Sequence, residues 1–476
     1  MSKEKYIRSF LSFSIGTWLR AILSLITTPI ITFIISPQEF GKASMYGMIY
    51  SILLFSVVLG THQSYIRFFY EFYESDRSKL LWNCIWPSVI VSILVSVICL
   101  INWKNISRFI INTEDINLII LLILSLFTGV IQLFNMYSVR MKKMGLRYSL
   151  LEIVTYLTNF GGTVIYGLLF GRNFYAIVFG QIIANIVTFL IGVSFEIDYW
   201  RPKKPDLEII KKVIRYGLPF VPTFLLTWLF QSIDKITLRM LSTFSEIGLY
   251  TVAFKIANVM SIVQGGFTTF WIPVAYERYE KVPEDRSLYV KANEIIAAAM
   301  FFLGSIIILG KDIVCLIVSK SYRSASTIVP FLILGPVMYT ISETTVLGIN
   351  FTKKTYWHFI ISVITSVTNL LGNFALVPLY GARGAAISTG LSYVFFFALR
   401  THISVRLFPT AYKIRRIYIL TALVILQSFF ATFLGNTFIN IGMGGIVLAF
   451  CVILYKDVFI SEIFITIKNI IKNLSK

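Results

Sequence analysis

The chain has 476 residues, of which 57% are hydrophobic and 14% are charged, and its mean hydropathy is +0.77. A soluble globular protein of this length does not need so much apolar surface, so the composition excludes a soluble class. The net charge of +20 does not indicate nucleic-acid binding, because the basic residues alternate with apolar segments and form no single stripe.

Fourteen segments are apolar and long enough to cross about 30 Å of hydrocarbon as helices. The first contains Pro29 and lacks a small-residue cleavage pattern, so it is interpreted as a retained helix and not as a signal peptide. We therefore expect an all-α polytopic membrane protein. The predicted spans are 10–35, 43–67, 82–101, 116–138, 148–170, 174–195, 216–240, 249–273, 290–310, 328–349, 357–379, 384–405, 417–434 and 441–460.

Basic residues set the predicted orientation of these spans. They concentrate in alternate connections, above all in 140–147, 201–215 and 400–416. By the positive-inside rule both termini are expected to be cytoplasmic. The C-terminal segment 460–476, with three lysines at helical spacing, is predicted to lie as an amphipathic tail on the inner membrane surface, where anionic lipids attract it.

An internal repeat divides the chain. Residues 155–180 match residues 365–390 at nine of 26 positions, several of them glycines and threonines that allow close helix contact. A duplication of six spans leaves both copies in the same orientation, so we expect two six-helix lobes related by a pseudo-twofold axis along the membrane normal. The predicted lobes are 1–200 and 201–410, followed by 411–476 with helices 13 and 14 and the tail.

Charged side chains at membrane depth are the candidate functional residues, since each costs about 2.5 kcal/mol or more unless it is paired or faces water. The basic candidates are Arg20, Lys235, Arg239 and Lys255. On one interpretation they line a cavity between the lobes and bind an anionic headgroup, because Arg and Lys suit phosphate oxygens. On the alternative interpretation Asp234 pairs with one of these bases and fixes helix packing, while Arg239 snorkels outward.

Two further titratable groups are candidates for coupling. Glu343 in span 10 is interpreted either as a proton or sodium relay or as a carboxyl that bonds to a neighbouring threonine. His62, near the inner end of span 2, has an ordinary pKa that suits proton coupling, and the alternative is a histidine that simply lies at the interface. Glu152 and Glu294, close to the cytoplasmic span ends, are interpreted as ordinary solvated acids.

Several absences narrow the function. The chain has no P-loop motif, and its four cysteines are widely spaced and form no metal-ligand pair, so no cofactor is expected. Energy for transport would then come from a proton or sodium gradient or from the substrate. The connections between spans are short and leave no room for a folded catalytic domain, which disfavours a membrane sugar polymerase or ligase. We expect a transporter and not an enzyme.

Short motifs near the spans resemble those of a known family. The chain is similar to bacterial polysaccharide transporters, the O-antigen and capsule flippases of the multidrug and oligosaccharidyl-lipid exporter superfamily. The segments that carry the resemblance are Pro37–Gly41, Tyr216–Pro219, Asp234–Lys235, Ser245–Tyr250, Trp271–Pro273 and Tyr380–Ala386.

The resemblance implies a fold and a function. The fold would be MATE-like, with two six-helix lobes around a cationic central cavity in the bacterial cytoplasmic membrane. The function would be movement of an isoprenoid-diphosphate-linked oligosaccharide from the inner to the outer leaflet, with membrane lipids, glycosyltransferases and a polysaccharide polymerase as partners. Similar charges occur in relatives at Arg20, Asp234 and Lys235. The alternative within the superfamily is a cation-coupled multidrug exporter, which would need acidic residues in its cavity.

Overall fold

The computed structural model describes residues 16, 19–20, 23–282 and 284–459, and its regular elements over that part are helices. The first ten helices are α1 Leu23–Ile34, α2 Pro37–Val58, α3 Thr61–Phe68, α4 Arg77–Ile101, α5 Trp103–Ile111, α6 Ile116–Met141, α7 Gly145–Leu169, α8 Tyr175–Ser194, α9 Leu207–Gly217 and α10 Phe220–Leu241. The next eleven are α11 Phe244–Ala257, α12 Met260–Lys281, α13 Ser287–Leu309, α14 Lys311–Leu316, α15 Val329–Leu332, α16 Leu334–Thr345, α17 Leu347–Phe351, α18 Tyr356–Tyr380, α19 Ala382–Leu407, α20 Ile414–Phe433 and α21 Thr437–Leu454.

The helices account for the predicted spans. Within the described residues nine helices are long and apolar enough to cross a membrane, and three bent pairs raise the number to twelve. The bent pairs are α9 with α10, α11 with α12, and a short 3-10 segment with α15 and α16. The two remaining predicted spans correspond to α1 and to α7, which has 25 residues but is more polar. The chain is a multi-pass helical membrane protein, as predicted.

The second predicted span, 43–67, is wrong at its C-terminal end. The helix α2 stops at Val58, because Leu59 and Gly60 have positive φ angles of 52° and 69°, and α3 starts at Thr61. A Cβ atom on Gly60 would collide with the carbonyl oxygen of Gly217, so the backbones of the two segments approach too closely for a side chain. His62 therefore lies in a separate short helix beyond the span.

Equivalent contacts occur in both copies of the repeat. The carboxylate of Glu39 accepts a hydrogen bond of 2.9 Å from the backbone N–H of Phe174, at the start of α8. The carboxylate of Glu246 accepts one of 2.7 Å from the N–H of Ala382, at the start of α19. Glu39 lies in Pro37–Gly41 and Glu246 in Ser245–Tyr250, two of the segments that carry the family resemblance. Each glutamate stabilises the N-terminus of the last helix of its copy. The duplication inferred from sequence is thus matched by duplicated contacts.

Small residues bring paired helices together, as the repeat predicts. A Cβ atom on Gly162 of α7 would lie 3.0 Å from the Cα of Gly180 in α8. In the second copy, a Cβ atom on Gly372 of α18 would collide with the hydroxyl of Ser388 in α19. Close backbone packing therefore explains the shared glycines.

By its contacts the chain divides into two compact units, one ending at Lys235 and one beginning at Ile236. The first part of α10 packs within the first unit, where the Trp228 indole N–H donates to the Met48 carbonyl oxygen and the Ser51 hydroxyl, both at 3.0 Å. The predicted lobe boundaries at residues 200 and 410 stay predictions. The predicted tail, 460–476, lies outside the described residues, as do the lysines of the N-terminus.

Each unit has its own aromatic core. In the first, the rings of Tyr65 and Phe134 meet edge to face with centroids 6.3 Å apart. In the second, Trp271 and Tyr289 do the same at 6.2 Å, and Phe351 packs against them. These cores fix the helices whose polar faces are described next.

Candidate functional site

A polar cavity of about 640 Å³ lies inside the first unit. Four membrane helices, α2, α6, α7 and α8, supply its walls together with Arg20. Its volume is in the range of small-molecule binding sites. The lining residues are Arg20, Tyr50, Leu54, Gly129, Gln132, Leu133, Met136, Tyr137, Arg140, Tyr148, Glu152, Thr155, Tyr156, Asn159, Gln181 and Asn185.

The polar face of α7 points into this cavity. Tyr148, Glu152, Thr155 and Asn159 follow one another at intervals of four, three and four residues, so they form one stripe along the helix. All four line the cavity. This stripe also explains why α7 is too polar to count among the nine long apolar helices.

Charged groups gather at one end of the cavity. The Arg20 guanidinium lies 3.8 Å from the Glu152 carboxylate, and the Tyr148 hydroxyl donates to the same carboxylate at 3.4 Å. Arg140 lies within electrostatic reach of Tyr148, as do Arg20 and Glu152. The Arg20 side chain is 52% exposed, so a ligand can reach it. The interpretation of Glu152 as an ordinary solvated acid is wrong, because its side chain is 10% exposed and lines the cavity.

Neutral amides occupy the other end. Asn159 donates to the Gln181 side-chain oxygen at 3.4 Å, and Gln181 donates to that of Asn185 at 3.1 Å. Asn185 in turn donates to the Thr128 hydroxyl at 3.4 Å and bonds to the Tyr50 hydroxyl. The amides therefore form one connected series across α6, α7, α8 and α2.

The other basic candidates do not line this cavity. Lys235 is half-buried on α10, next to the buried Asp234. In the second unit, the Arg239 guanidinium lies 4.7 Å from the centre of the Phe244 ring, and Lys255 is exposed on α11. Their assignment to a cationic site between the lobes stays a prediction.

Glu343 forms a buried ion pair in the second unit. Its carboxylate accepts from the Arg400 guanidinium at 2.7 Å, and the same nitrogen donates to the Ser342 hydroxyl at 2.7 Å. The guanidinium also lies over the rings of Tyr339 and Phe396, at 5.5 and 5.3 Å. Arg400 therefore holds the carboxylate in a packed setting, and the relay role of Glu343 stays a prediction.

His62 is enclosed by aromatic rings. Its ring centroid lies 5.4 Å from that of Tyr137 and 5.2 Å from that of Phe224, and Nδ1 has no hydrogen-bond partner within the described residues. Burial lowers the pKa of His62 to about 4, because no nearby carboxylate offsets the loss of solvation. The imidazole is therefore neutral at physiological pH, which weakens the argument for proton coupling through its ordinary pKa.

Reasoning from sequence missed most of the cavity lining. The sequence places Arg140 only among the basic residues of a predicted cytoplasmic connection, and no motif points to Tyr50, Gln181 or Asn185. The signal that was present is the polar stripe of α7, together with Gln181 and Asn185 four residues apart on α8. Over the described ranges no three His, Cys, Asp or Glu side chains come together as a metal site requires.

Comparison with known proteins decides the family. The sequence profile of the family described as "Polysaccharide biosynthesis protein" matches residues 6–277, which is more than half of the chain and includes every residue that lines the cavity. The chain belongs to this family. The resemblance of this polysaccharide biosynthesis protein to polysaccharide transporters, inferred from short motifs, is thereby confirmed.

A curated relative and two solved structures extend the comparison. The probable flippase AglR of Haloferax volcanii is 27% identical over 245 residues, a match that spans 50% of this chain and about half, 49%, of the relative. The fold is similar to that of the lipid II flippase MurJ in an inward closed conformation, with a TM-score of 0.70 and 16% identity over 94% of this chain and 99% of that one.

An inward-facing multidrug resistance transporter of the MATE family, in the MOP superfamily, is also similar. It gives a TM-score of 0.63 at 15% identity over 84% of this chain and 98% of that one. The predicted MATE-like fold is confirmed by these neighbours. The named relatives of this family member are flippases and transporters and not enzymes.

Proposed function

We propose that the protein is a flippase that moves an isoprenoid-diphosphate-linked oligosaccharide from the cytoplasmic to the outer leaflet of the bacterial cytoplasmic membrane, for surface polysaccharide synthesis of the O-antigen or capsule type. Membership of the polysaccharide biosynthesis family and the similarity to a probable flippase support this proposal. Glycosyltransferases that make the lipid-linked substrate and a polymerase that consumes it are the expected partners.

The observation that carries the proposal is a polar cavity whose two ends differ. Arg20 and Arg140 lie at one end and neutral hydrogen-bonding side chains at the other. Arginine offers a planar fork that matches phosphate oxygens, whereas amides and hydroxyls suit sugar hydroxyls. An amphiphile with a diphosphate between a lipid and sugars matches this distribution.

The arginines reduce the main energetic barrier to translocation. An unpaired diphosphate in the bilayer would carry a prohibitive desolvation cost, so its charges must be compensated along the whole path. In the proposed mechanism Arg20 and Arg140 compensate them while the lipid tail stays in the bilayer and the sugars occupy the cavity. Alternating access then opens the cavity outward, and a proton or sodium gradient or consumption of the product sets the direction.

The test is transport by the purified full chain in liposomes. An isoprenyl-diphosphate-linked sugar with a fluorescent label is followed by quenching from outside. We expect the double variant Arg20→Ala, Arg140→Ala to lose transport and to fail in restoring surface glycan to a strain that lacks the protein. Arg147→Ala is the matched control, since Arg147 is exposed, lies over the Phe195 ring and does not line the cavity. Full transport by the double variant at normal membrane levels would refute the proposal.

A second candidate is a multidrug exporter, which Glu152 favours because an acid in the cavity could hold a cationic drug. Against it, two arginines outnumber the one acid among the lining residues. Drug-resistance and drug-efflux assays on the same liposomes separate the two functions: Glu152→Gln would abolish efflux of a cation by an exporter, whereas a flippase would show no such efflux. Formation of polymer from a glycan acceptor by the protein alone would instead indicate a polymerase or ligase.

A further inference from the structure

The cavity has a neutral compartment with free hydrogen-bonding capacity. Asn159, Gln181 and Asn185 are linked in series, and each link uses one amide N–H. A side-chain amide has two N–H donors and a carbonyl oxygen that accepts two bonds. In the contacts of the described residues, the second donor of Asn159, the second donor of Gln181 and the side-chain carbonyl oxygen of Asn159 are left for a ligand. Asn159 and Gln181 are half-buried, so their polar atoms are accessible from the cavity.

Aromatic rings complete this compartment. Tyr50 and Tyr156 are the tyrosines nearest to it, and Tyr156 is held in place by a hydrogen bond with the Thr27 hydroxyl of α1. Tyr50 is pressed against Gly129, whose missing Cβ makes room for the tyrosine hydroxyl. A pyranose ring presents hydroxyls at its edge and C–H groups on its faces, so amides beside tyrosine rings match both of its surfaces.

The neutral compartment is well separated from the charged end. Asn159 lies eleven residues beyond Tyr148 on α7, and Gly129 lies eleven residues from Arg140 on α6, which is about 16 Å along each helix. The lining residues at this depth, Tyr50, Gly129, Gln132, Asn159, Gln181 and Asn185, carry no charge. A carboxylate placed here would lose its hydration without gaining a cation.

We infer that this compartment is a saccharide subsite and that it selects uncharged sugars over acidic ones next to the lipid diphosphate. The inference rests on the proposed function and specifies its substrate. Asn159 and Gln181 are the specificity-determining residues, since they present amide groups to the cavity. Arg20 and Arg140 hold the diphosphate independently of the sugar attached to it.

The experiment measures affinity of the full chain in lipid nanodiscs for three probes. These are an isoprenyl diphosphate without a sugar, the same lipid with one N-acetylhexosamine, and the same lipid with one hexuronic acid. We expect the N-acetylhexosamine to raise affinity over the bare lipid by about tenfold, and the hexuronic acid to bind at least about tenfold more weakly than the neutral sugar.

Variants separate the subsite from the diphosphate site. The double variant Asn159→Ala, Gln181→Ala should lose the gain from the neutral sugar and bind the bare lipid diphosphate as before. Asn117→Ala, an exposed amide at the other end of α6, is the control and should behave as wild type. Gln181→Lys should raise affinity for the hexuronic acid lipid at least about tenfold, a gain that misfolding cannot produce.

The outcomes distinguish the saccharide subsite from the flippase function. If the sugar preference survives the Asn159 and Gln181 substitutions, or if neutral and acidic sugars bind equally, the saccharide subsite is refuted while the flippase proposal stands. If the bare lipid diphosphate does not bind, or if substitution of Arg20 and Arg140 leaves its affinity unchanged, the flippase proposal fails and the subsite fails with it.

Discussion

The buried pair of Glu343 and Arg400 allows a direct test of whether a charge at membrane depth serves packing or coupling. The perturbation is a double-mutant cycle of Glu343→Gln, Arg400→Gln and the two together. If the pair serves packing, each single variant leaves one uncompensated buried charge, and the double variant leaves none. If Glu343 relays an ion, removal of Arg400 cannot restore what its own substitution abolishes.

The structure sets the expected magnitude. The two side chains are 2.7 Å apart, and Arg400 and Glu343 are 6% and 9% exposed. Removal of one partner from such a pair costs about 3 to 5 kcal/mol. The double variant should recover about 1 to 3 kcal/mol of the summed losses as the coupling energy of the cycle. Every variant that lacks the Arg400 guanidinium also loses its packing over the Tyr339 and Phe396 rings, and the double variant does not recover this loss.

Thermal unfolding of the purified protein in detergent measures stability, and liposome transport measures function. We expect both single variants to have clearly lower unfolding midpoints, with the double variant above Arg400→Gln. Glu277→Gln is the control, because Glu277 pairs with Lys281 on an exposed helix face, where solvent screens an ion pair and leaves it little effect on stability. The packing role would be refuted if Glu343→Gln unfolds at the wild-type temperature but loses transport, and if the double variant does not restore that transport.

Three further predictions concern separate contacts. Burial lowers the pKa of His62 to about 4, so the folded protein takes up this proton less readily than the unfolded chain. The free energy of unfolding should therefore be highest above pH 6.5 and should fall by about 3 kcal/mol at most as the pH is lowered towards 4. The unfolding midpoint of His62→Gln should fall less over that range. Glu39→Gln and Glu246→Gln each weaken a charged hydrogen bond at a helix start and should each cost about 1 to 2 kcal/mol, additively, in thermal unfolding. Gly129→Ala should slow transport, because the added methyl group would push the Tyr50 hydroxyl into the cavity. Gly47→Ala should not affect transport, because the space around Gly47 is open.

Much of the architecture is a local property of the sequence. The number, length and order of the spans follow from runs of apolar residues, since every backbone polar group in the bilayer must be satisfied within its own helix. The repeat was visible as glycines and threonines in register, and duplicated glutamate contacts agree with it. The C-terminal end of the second predicted span is wrong, because positive φ angles at Leu59 and Gly60 end that helix inside an apolar run.

The sequence does not show which groups the charged side chains contact. Arg400 lies in a stretch rich in basic residues that predicts a cytoplasmic connection, yet its side chain is buried against Glu343. Glu152 and Arg140 are similar cases. Both lie near the ends of predicted spans, yet both line the cavity. Hydropathy gives the depth of a residue along its helix and says nothing about the direction in which its side chain points.

The sequence by itself determined that this chain is a polytopic helical membrane protein, that it is duplicated, and which polar residues each helix carries. Tertiary structure alone decided which of those residues face one another, since the rotation of a membrane helix is set by the small residues and aromatic cores of its neighbours. That rotation brings the polar stripe of α7 opposite the amides of α8 and creates the cavity.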